Sequence, residues 1–330
     1  MSAPFFSVVV PVYNGGEVFE RCLAALGRSE FRDYELLVVD DGSGDGSGAT
    51  AERHGARLLE TGGRWGPARA RNLGARQAAG DYLFFVDADC EVGPETLGRA
   101  AEALNRDPEL VGLFGSYDDA PSDPTLLSQY KNLQHHWVHQ MGREEASSFW
   151  AGCGAVRRTV FLELGGFDAD RYARPSIEDI ELGYRLTAAG HRMRLDKSVQ
   201  VKHHKAWRLG NLLKTDIVDR GIPWTMLMLR RNRIDNDLNV GTAGRASGLA
   251  AWALVLSLIG GLFDAQSFFL AAICVVVLLA ANRDFYRFLV AKRGLWFTLR
   301  TLPVHWLYYL YSVLAFGIGV LRHLTRRGSD

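Results

Sequence analysis

Three short runs of apolar, mostly β-branched or aromatic residues, each broken off by turn-forming polar residues, set the tightest limit on how this chain folds. Phe6 to Val12 ends in Tyr13-Asn14-Gly15-Gly16, Glu35 to Val39 in Asp40-Asp41-Gly42-Ser43, and Tyr82 to Val86 in Asp87-Ala88-Asp89. A continuous apolar run of this length reads as a strand buried on both faces, as in a parallel sheet. Between the runs, residues 17–27 set Val18, Cys22, Leu23 and Leu26 at helical spacing, and residues 67–79 form a stretch rich in Ala and Arg that also reads as a helix. Strands alternating with helices predict a doubly wound α/β layer. The polar cluster at each strand's carboxyl end lies where open α/β sheets bind ligands.

The same layer is expected to continue to about residue 205. Residues 94–106 and 178–189 read as helices, and 147–157 and 191–201 as strands. The segment 117–147, with Asp118, Asp119, His135, His136 and His139, reads as a loop that could serve as an acceptor lid or bind metal. The spacing of His135 and His139 would suit one helix face, but a lone pair is weak evidence for a metal.

Beyond residue 205 the composition changes. Residues 206–245 carry Trp207, Leu212, Ile217, Trp224 and Leu227 among Arg208, Lys214, Arg220, Arg230, Arg231 and Arg233, a pattern of an amphipathic helix in a membrane interface or of a surface helix packed on the core. Three apolar runs follow within 246–330, at about 247–263, 268–281 and 302–321. The first two form a hairpin whose tip, Asp264-Ala265-Gln266, has no Lys or Arg, while Arg245 and Arg283 flank its base. By the positive-inside tendency both ends lie in the cytoplasm, and the third run, basic on both sides, is expected in the interface or re-entrant. The expected setting is a membrane, in a bacterium the inner one, with the catalytic domain (1–205) cytoplasmic. Residues 1–6 lack the length and basic start of a signal peptide. The four cysteines, Cys22, Cys90, Cys153 and Cys274, stand far apart with no CxxC pair, which fits a reducing compartment. A formal net charge of +1 gives no reason to expect nucleic acid as a partner.

Asp87 and Asp89 lead the chemistry. At a strand end, residues two apart point the same way, so both carboxylates would face one site. Hard oxygen ligands there could hold a divalent cation against a diphosphate, although aspartates also end strands for turn chemistry alone. Glu178-Asp179 offers a carboxylate able to take a proton from an attacking hydroxyl. The stretch Ser176-Ile177-Glu178-Asp179 also resembles a helix N-cap with acids in the first turn. In Val199-x-Val201-x-His203 the histidine shares the valines' face, with His204 pointing away.

Taken together and in order, SVVVPVYNGG, VVDDGSGDGS, ARARNLGARQAAGDYLFFVDAD, GCGAVRR, GGFD and EDIELGYRL resemble the family 2 glycosyltransferases with the GT-A fold, over roughly residues 6–205. The resemblance implies a Rossmann-like, mostly parallel central sheet flanked by helices. It also implies inverting transfer from a nucleotide-diphosphate sugar, UDP-sugars first, aided by Mg2+ or Mn2+. By position, Pro11, Val12 and Tyr13 would line the base pocket, and Asp40, with Asp41, would bind base or ribose. Arg71 would help hold the nucleotide. Asp87 would face ribose and metal, Asp89 would bind the metal, Asp179 would be the base, and His203 would complete the metal site. For Asp41 a turn-forming role and for Arg71 a solvated helix charge stay open, as does a surface role for His203. The Gln-x-x-Arg-Trp motif of processive synthases is missing, so one addition per encounter is expected rather than chain extension. The acceptor would be a lipid-linked sugar or other glycan. The alternatives are a polyprenyl-phosphate glycosyltransferase and a non-catalytic nucleotide-sugar-binding membrane protein. A Rossmann dehydrogenase would need a GxGxxG turn, and Val12-Tyr13-Asn14-Gly15-Gly16 is not one.

Overall fold

The computed structural model describes residues 3–231 and 241–327; Met1, Asn232 and Arg233 lie outside them. The chain divides into two compact units, Met1–Asp123 with His139–Lys205, and Pro124–Val138 with Ala206–Asp330.

Along the chain the first unit's elements are β1 (Phe6–Val12), α1 (Gly16–Gly27), β2 (Tyr34–Asp40), α2 (Ser47–Arg53), β3 (Arg57–Glu60), α3 (Pro67–Gln77), β4 (Tyr82–Val86), β5 (Cys90–Val92), α4 (Thr96–Arg106) and β6 (Leu110–Tyr117). After α5 (Leu126–Met141), most of which belongs to the second unit, come β7 (Glu145–Ala146), β8 (Cys153–Arg157), α6 (Arg158–Glu163), α7 (Glu178–Ala188) and β9 (Arg192–His203). The strands form one sheet in the order β3-β2-β1-β4-β8-β6-β9-β5, with β7 pairing β9.

The parallel half contains the three runs that open the sequence. β1 pairs β2 and β4, and β2 pairs β3, all parallel, because α1, α2 and α3 carry the chain back to the same starting edge. β8 then runs antiparallel to both β4 and β6, so the sheet as a whole is mixed rather than mostly parallel. Register aligns the tips: Val12 stands opposite Asp40, and both lead into loops at one edge. Val8, Val9, Val10, Leu37, Val38, Phe84 and Phe85 are fully buried, each contributing about 1.5–3 kcal/mol as an upper bound. Gly74 lets α3 lie close on the sheet, since a Cβ there would stand 2.6 Å from Val9 Cγ1.

The segment 117–147, expected as a loop, holds a helix, and the stretch before it, which carries no sequence expectation, forms a strand. β6 is a buried strand and α5 a helix of 16 residues. Gly112 and Gly115 weaken the strand signal in LVGLFGSY, yet Gly115 is required: a Cβ would lie 1.9 Å from the Val199 carbonyl of β9.

The second unit is helical. Besides the first part of α5 it holds α8 (Leu209–Leu213), a π-helical stretch (Lys214–Gly221), α9 (Ile222–Arg230), α10 (Thr242–Gly260), α11 (Ser267–Ala281) and α12 (Arg283–Arg327). α12 breaks direction at Gly294, whose φ of 83° lies in the left-handed region. The basic stretch after residue 205 turns its apolar side onto α12: Trp207 and Leu212 pack with Tyr311, and Ile222 and Met226 with Ala315. α10 starts earlier than the apolar run suggested, so its 19 residues extend for about 28 Å. α10 and α12 are long and apolar enough to cross a membrane, whereas α11, with 15 residues, is shorter. Ala251, Leu254, Cys274 and Leu278 pack with Tyr309, while Leu249, Phe263, Phe269 and Trp296 are exposed. Such outward apolar surface suits hydrocarbon rather than water, and the unit is membrane-associated.

Candidate active site

Two loops at the sheet's edge are tied into one wall. Asn14, itself at φ 49°, accepts from the Gly44 N–H at its side-chain oxygen and donates its own N–H to the Ser43 hydroxyl oxygen, at 2.8 and 2.9 Å. Gly16 N–H donates to Asp45, and Asp40 accepts the Ser43 N–H at 2.8 Å, closing an Asx turn. Asp41 is buried and organises the neighbouring loop: it accepts from the Thr61 hydroxyl and from the N–H groups of Trp65 and Gly66 at 3.0, 2.9 and 2.7 Å. Those bonds tie Asp41 to the 61–66 loop. They also bring Arg64 over the exposed Tyr13 ring, 4.2 Å from its centroid, and place Trp65 beneath Arg69. Pro11 and Val12 belong to β1 beside this wall, Val12 buried and Pro11 half-buried.

Arg71 is not a solvated helix charge. α3 delivers its guanidinium into the interior, where it donates to Asp87 Oδ1 at 2.6 Å and to Glu178 Oε1 at 3.1 Å. Burial alone would weaken its charge, but Asp87, Glu178 and Asp179 together raise its pKa above the ordinary value. Its Nε, buried without a hydrogen bond, leaves the cluster one donor short of full satisfaction. The arrangement binds the tip of β4 to the start of α7, a connection that neither segment's sequence displays.

Asp87 and Asp89 sit in the tight turn that joins the end of β4 to β5, not within a strand. β4 stops at Val86, Cys90 N–H donates back to the Asp87 carbonyl at 2.9 Å, and β5 begins at once. The alternation argument therefore does not govern them, and the two carboxylates have different partners: Arg71 for Asp87, His203 for Asp89. His203 ends β9 opposite Cys90 and is buried on the Val199–Val201 face, as the alternation implied. Its Nε2 lies 3.4 Å from Asp89 Oδ2 and 3.3 Å from the Tyr117 hydroxyl, and its ring stacks on Tyr117 at 4.1 Å. Burial would raise the Asp89 pKa, but the adjoining His203 holds it down at about 2, so the carboxylate stays ionised. His204 points elsewhere, to Glu91 at 2.8 Å.

Carboxylate oxygens with an imidazole are a donor set suited to Mg2+ or Mn2+. Among the described residues no group of three or more His, Cys, Asp or Glu is arranged to enclose an ion. His139 of the HxxxH pair is committed to the Gly115 carbonyl at 2.9 Å.

α7 begins without a side-chain cap at Ile177, and the Ser176 N–H donates to Glu178 Oε2 instead of Ser176 acting as the cap. Glu178 is buried and locked to Arg71; Asp179 is half-buried and accepts from the N–H groups of Ala151 and Ile180 at 3.2 and 2.8 Å. All four cysteines are free and buried, and burial pushes the Cys22, Cys90 and Cys153 thiols up, which removes them as nucleophiles. Sequence reasoning missed Tyr117 and Arg64–Trp65. Tyr117 was hidden by the unrecognised strand β6, and the 61–66 loop has no motif of its own beyond Gly-Gly before an Arg-Trp pair.

The family model for "Glycosyl transferase family 2" matches residues 7–165, which span β1 to the end of α6. N-acetylglucosaminyl-diphospho-decaprenol L-rhamnosyltransferase of Mycobacterium tuberculosis is 31% identical over 239 residues, 62% of this chain and 77% of that protein. Glycosyltransferase AglE of Haloferax volcanii is 35% identical over 220 residues, 64% and 70% of the respective chains. The fold likeness reaches further: mannosyltransferase PcManGT from Pyrobaculum calidifontis, solved with GDP-Man and Mn2+, aligns with 96% of this chain and 88% of its own at a TM-score of 0.57, with 19% identity. A sheet edge of this construction, matched by the family model and by relatives over most of their length, leaves one assignment: the chain is a membrane-associated member of glycosyl transferase family 2, a glycosyltransferase that moves a sugar from a nucleotide-diphosphate sugar.

Proposed function

We propose that the enzyme is an inverting, metal-dependent transferase acting at the cytoplasmic face of a membrane, in a bacterium the inner one, on a hydroxyl of a lipid-linked acceptor. The observation that carries this reading is the division of labour within Glu178-Asp179. Arg71 holds Glu178 in a buried ion pair, while the adjacent Asp179 is half-buried in the first turn of α7. Asp179 takes the proton of the acceptor hydroxyl, whose oxygen forms the new bond to the sugar's anomeric carbon. The bond from that carbon to the donor's β-phosphate oxygen breaks on the opposite face, and the nucleoside diphosphate leaves with the electron pair.

Asp89, with Asp87 and His203 beside it, is the place for Mg2+ or Mn2+, which when bound neutralises charge on the departing diphosphate. Tyr13, Pro11 and Val12 form the base pocket with Asp40 at the ribose, and Asp41 keeps the 61–66 loop in place beneath Arg64. Arg71 positions Asp87 rather than gripping the nucleotide. The base favoured is uracil, and the acceptor class is supported by the 31% relative named for a diphospho-decaprenol acceptor. Arg245 and Arg283, flanking the α10–α11 pair, support the orientation.

The test is a screen of nucleotide-diphosphate sugars on detergent-solubilised protein, with and without Mn2+, scored as transfer to lipid-linked and free glycan acceptors. Turnover that ignores chelation removes the role given to Asp89.

A further inference from the structure

One aromatic side chain borders the acidic turn and has no role in the transfer steps above. Tyr117 ends β6, and its ring lies over the His203 imidazole with centroids 4.1 Å apart and planes 7° from parallel. Its hydroxyl is 3.3 Å from His203 Nε2, the same nitrogen that stands 3.4 Å from Asp89 Oδ2. Trp150 packs at right angles to Tyr117 at 4.8 Å, and all three rings are buried.

The backbone is shaped to allow this stack. Pairing between β6 and β9 slips from Leu195 at Phe114 to Gln200 at Ser116, so an irregularity, not the regular ladder, sets the direction of Tyr117. Such irregularities recur next to active sites, where they re-aim a side chain. Gly115 lies inside the slip, and a Cβ there would stand 1.9 Å from the Val199 carbonyl oxygen. Gly152 makes room for Trp150, whose ring a Cβ would approach to 2.5 Å. In both places a glycine permits a close approach that any other residue would block.

A histidine ring needs such a neighbour. Its outer torsion has broad, roughly two-fold preferences in place of sharp wells, so an unsupported imidazole can swing Nε2 away from Asp89. A flat partner on its face leaves one plane available. Groups that orient a ligating imidazole commonly matter about 10- to 100-fold in metal affinity.

We propose that Tyr117 is a positioning residue of the transferase: its ring holds the His203 imidazole in the plane where Nε2 faces Asp89, so that the two can take a divalent cation together. This rests on the metal role given above to Asp89 and His203. The flat face carries the effect; the hydroxyl contact, at 3.3 Å, is longer than an ordinary hydrogen bond and is secondary.

The full chain in detergent micelles is titrated with Mn2+ in the presence of UDP and, in parallel, of GDP, and free Mn2+ is read from its electron paramagnetic resonance signal. Tyr117→Leu is expected to weaken Mn2+ binding about tenfold, while Tyr117→Phe, which keeps the flat ring, stays within about twofold of the wild type. His203→Ala is expected to lose at least as much, and Tyr117→Leu added to it to bring no further loss, because the tyrosine acts through the histidine. Lower stability of Tyr117→Leu with unchanged Mn2+ affinity makes Tyr117 a core residue only and overturns the proposal. So does a further full loss in the His203→Ala background, or a His203→Ala chain that binds Mn2+ like the wild type. Equal losses in Tyr117→Phe and Tyr117→Leu move the effect to the hydroxyl and overturn it as well. Should Tyr117→Leu fail to fold, Tyr117→Met, whose flexible side chain fills irregular gaps, takes its place with the same expectation. The wild type separates the two readings. Tight Mn2+ binding that Tyr117→Leu leaves intact sinks only this inference, whereas a wild type that binds no Mn2+ with either nucleotide removes the metal role and this inference together.

Discussion

Each unit buries an ionic cluster, and the two are built differently. In the sheet unit three carboxylates, Asp87, Glu178 and Asp179, surround one guanidinium, Arg71, with Asp89 two residues further along. In the helical unit Lys131 pairs with Asp216, which also accepts from the Tyr311 hydroxyl. A region left short of positive charge favours a cation. The backbone explains where each could arise. At the sheet edge, strand ends and the first turn of a helix present acids at the surface of a rigid layer, where water can still solvate them. Among apolar helices no such edge exists, and a π-helical stretch supplies the opening instead.

The largest test of this contrast is Asp179→Asn, expected to reduce transfer by about 10²- to 10⁴-fold while unfolding stays close to wild type. Full activity in that variant points to an acceptor that is already an anion. Next comes Arg71→Met, which strands Asp87 and Glu178 in the interior and is expected to cost about 3–5 kcal/mol in denaturant unfolding. A loss of activity with unchanged stability would instead return Arg71 to the nucleotide. Asp89→Ala is expected to lower transfer by about 10²- to 10³-fold, with the protein still folded and membrane-bound. Added Mn2+ that restored the variant would show that the ion is held elsewhere.

The smallest effect concerns pH in the helical unit. Burial would raise the Asp216 pKa, but Lys131 and Tyr311 hold it below the ordinary carboxylate value. Its contribution to stability is therefore fully present above the unfolded value, about 3.9, and is lost as pH falls through the folded one. Unfolding midpoints should show no Asp216-dependent change from pH 7 to about 4, and Asp216→Asn should flatten the decline below that. A decline that begins near pH 6 and disappears in the variant would contradict the direction of this shift.

Much of the sheet unit was legible because β1 and β4 are buried almost throughout: apolar runs with abrupt polar ends have few alternatives. The helices at 16–27, 67–77 and 178–188 followed from periodicity and turn residues, with ends shifted by a residue or two. β6 escaped because two glycines that serve close approach to β9 erase its apolar signature, and with it went the partner of His203, Tyr117. α5 escaped because polar and histidine-rich helices resemble loops when their burial partners lie more than 100 residues away, as Phe285 and Phe288 do for Tyr130 and Trp137.

Local sequence thus determined which residues end strands, which stretches are apolar enough for a membrane, and which acids could do chemistry, because all three depend on neighbours within a turn or a strand. The tertiary structure decided which acid partners which base. Glu178 and Asp179 are chemically alike and adjacent; only an arginine 107 positions from Glu178 separates a buried ion pair from a carboxylate available to a substrate. Lys131 and Asp216 likewise meet across 85 residues. Electrostatic partnership depends on distance in space and on burial, and neither is written in the order of the chain.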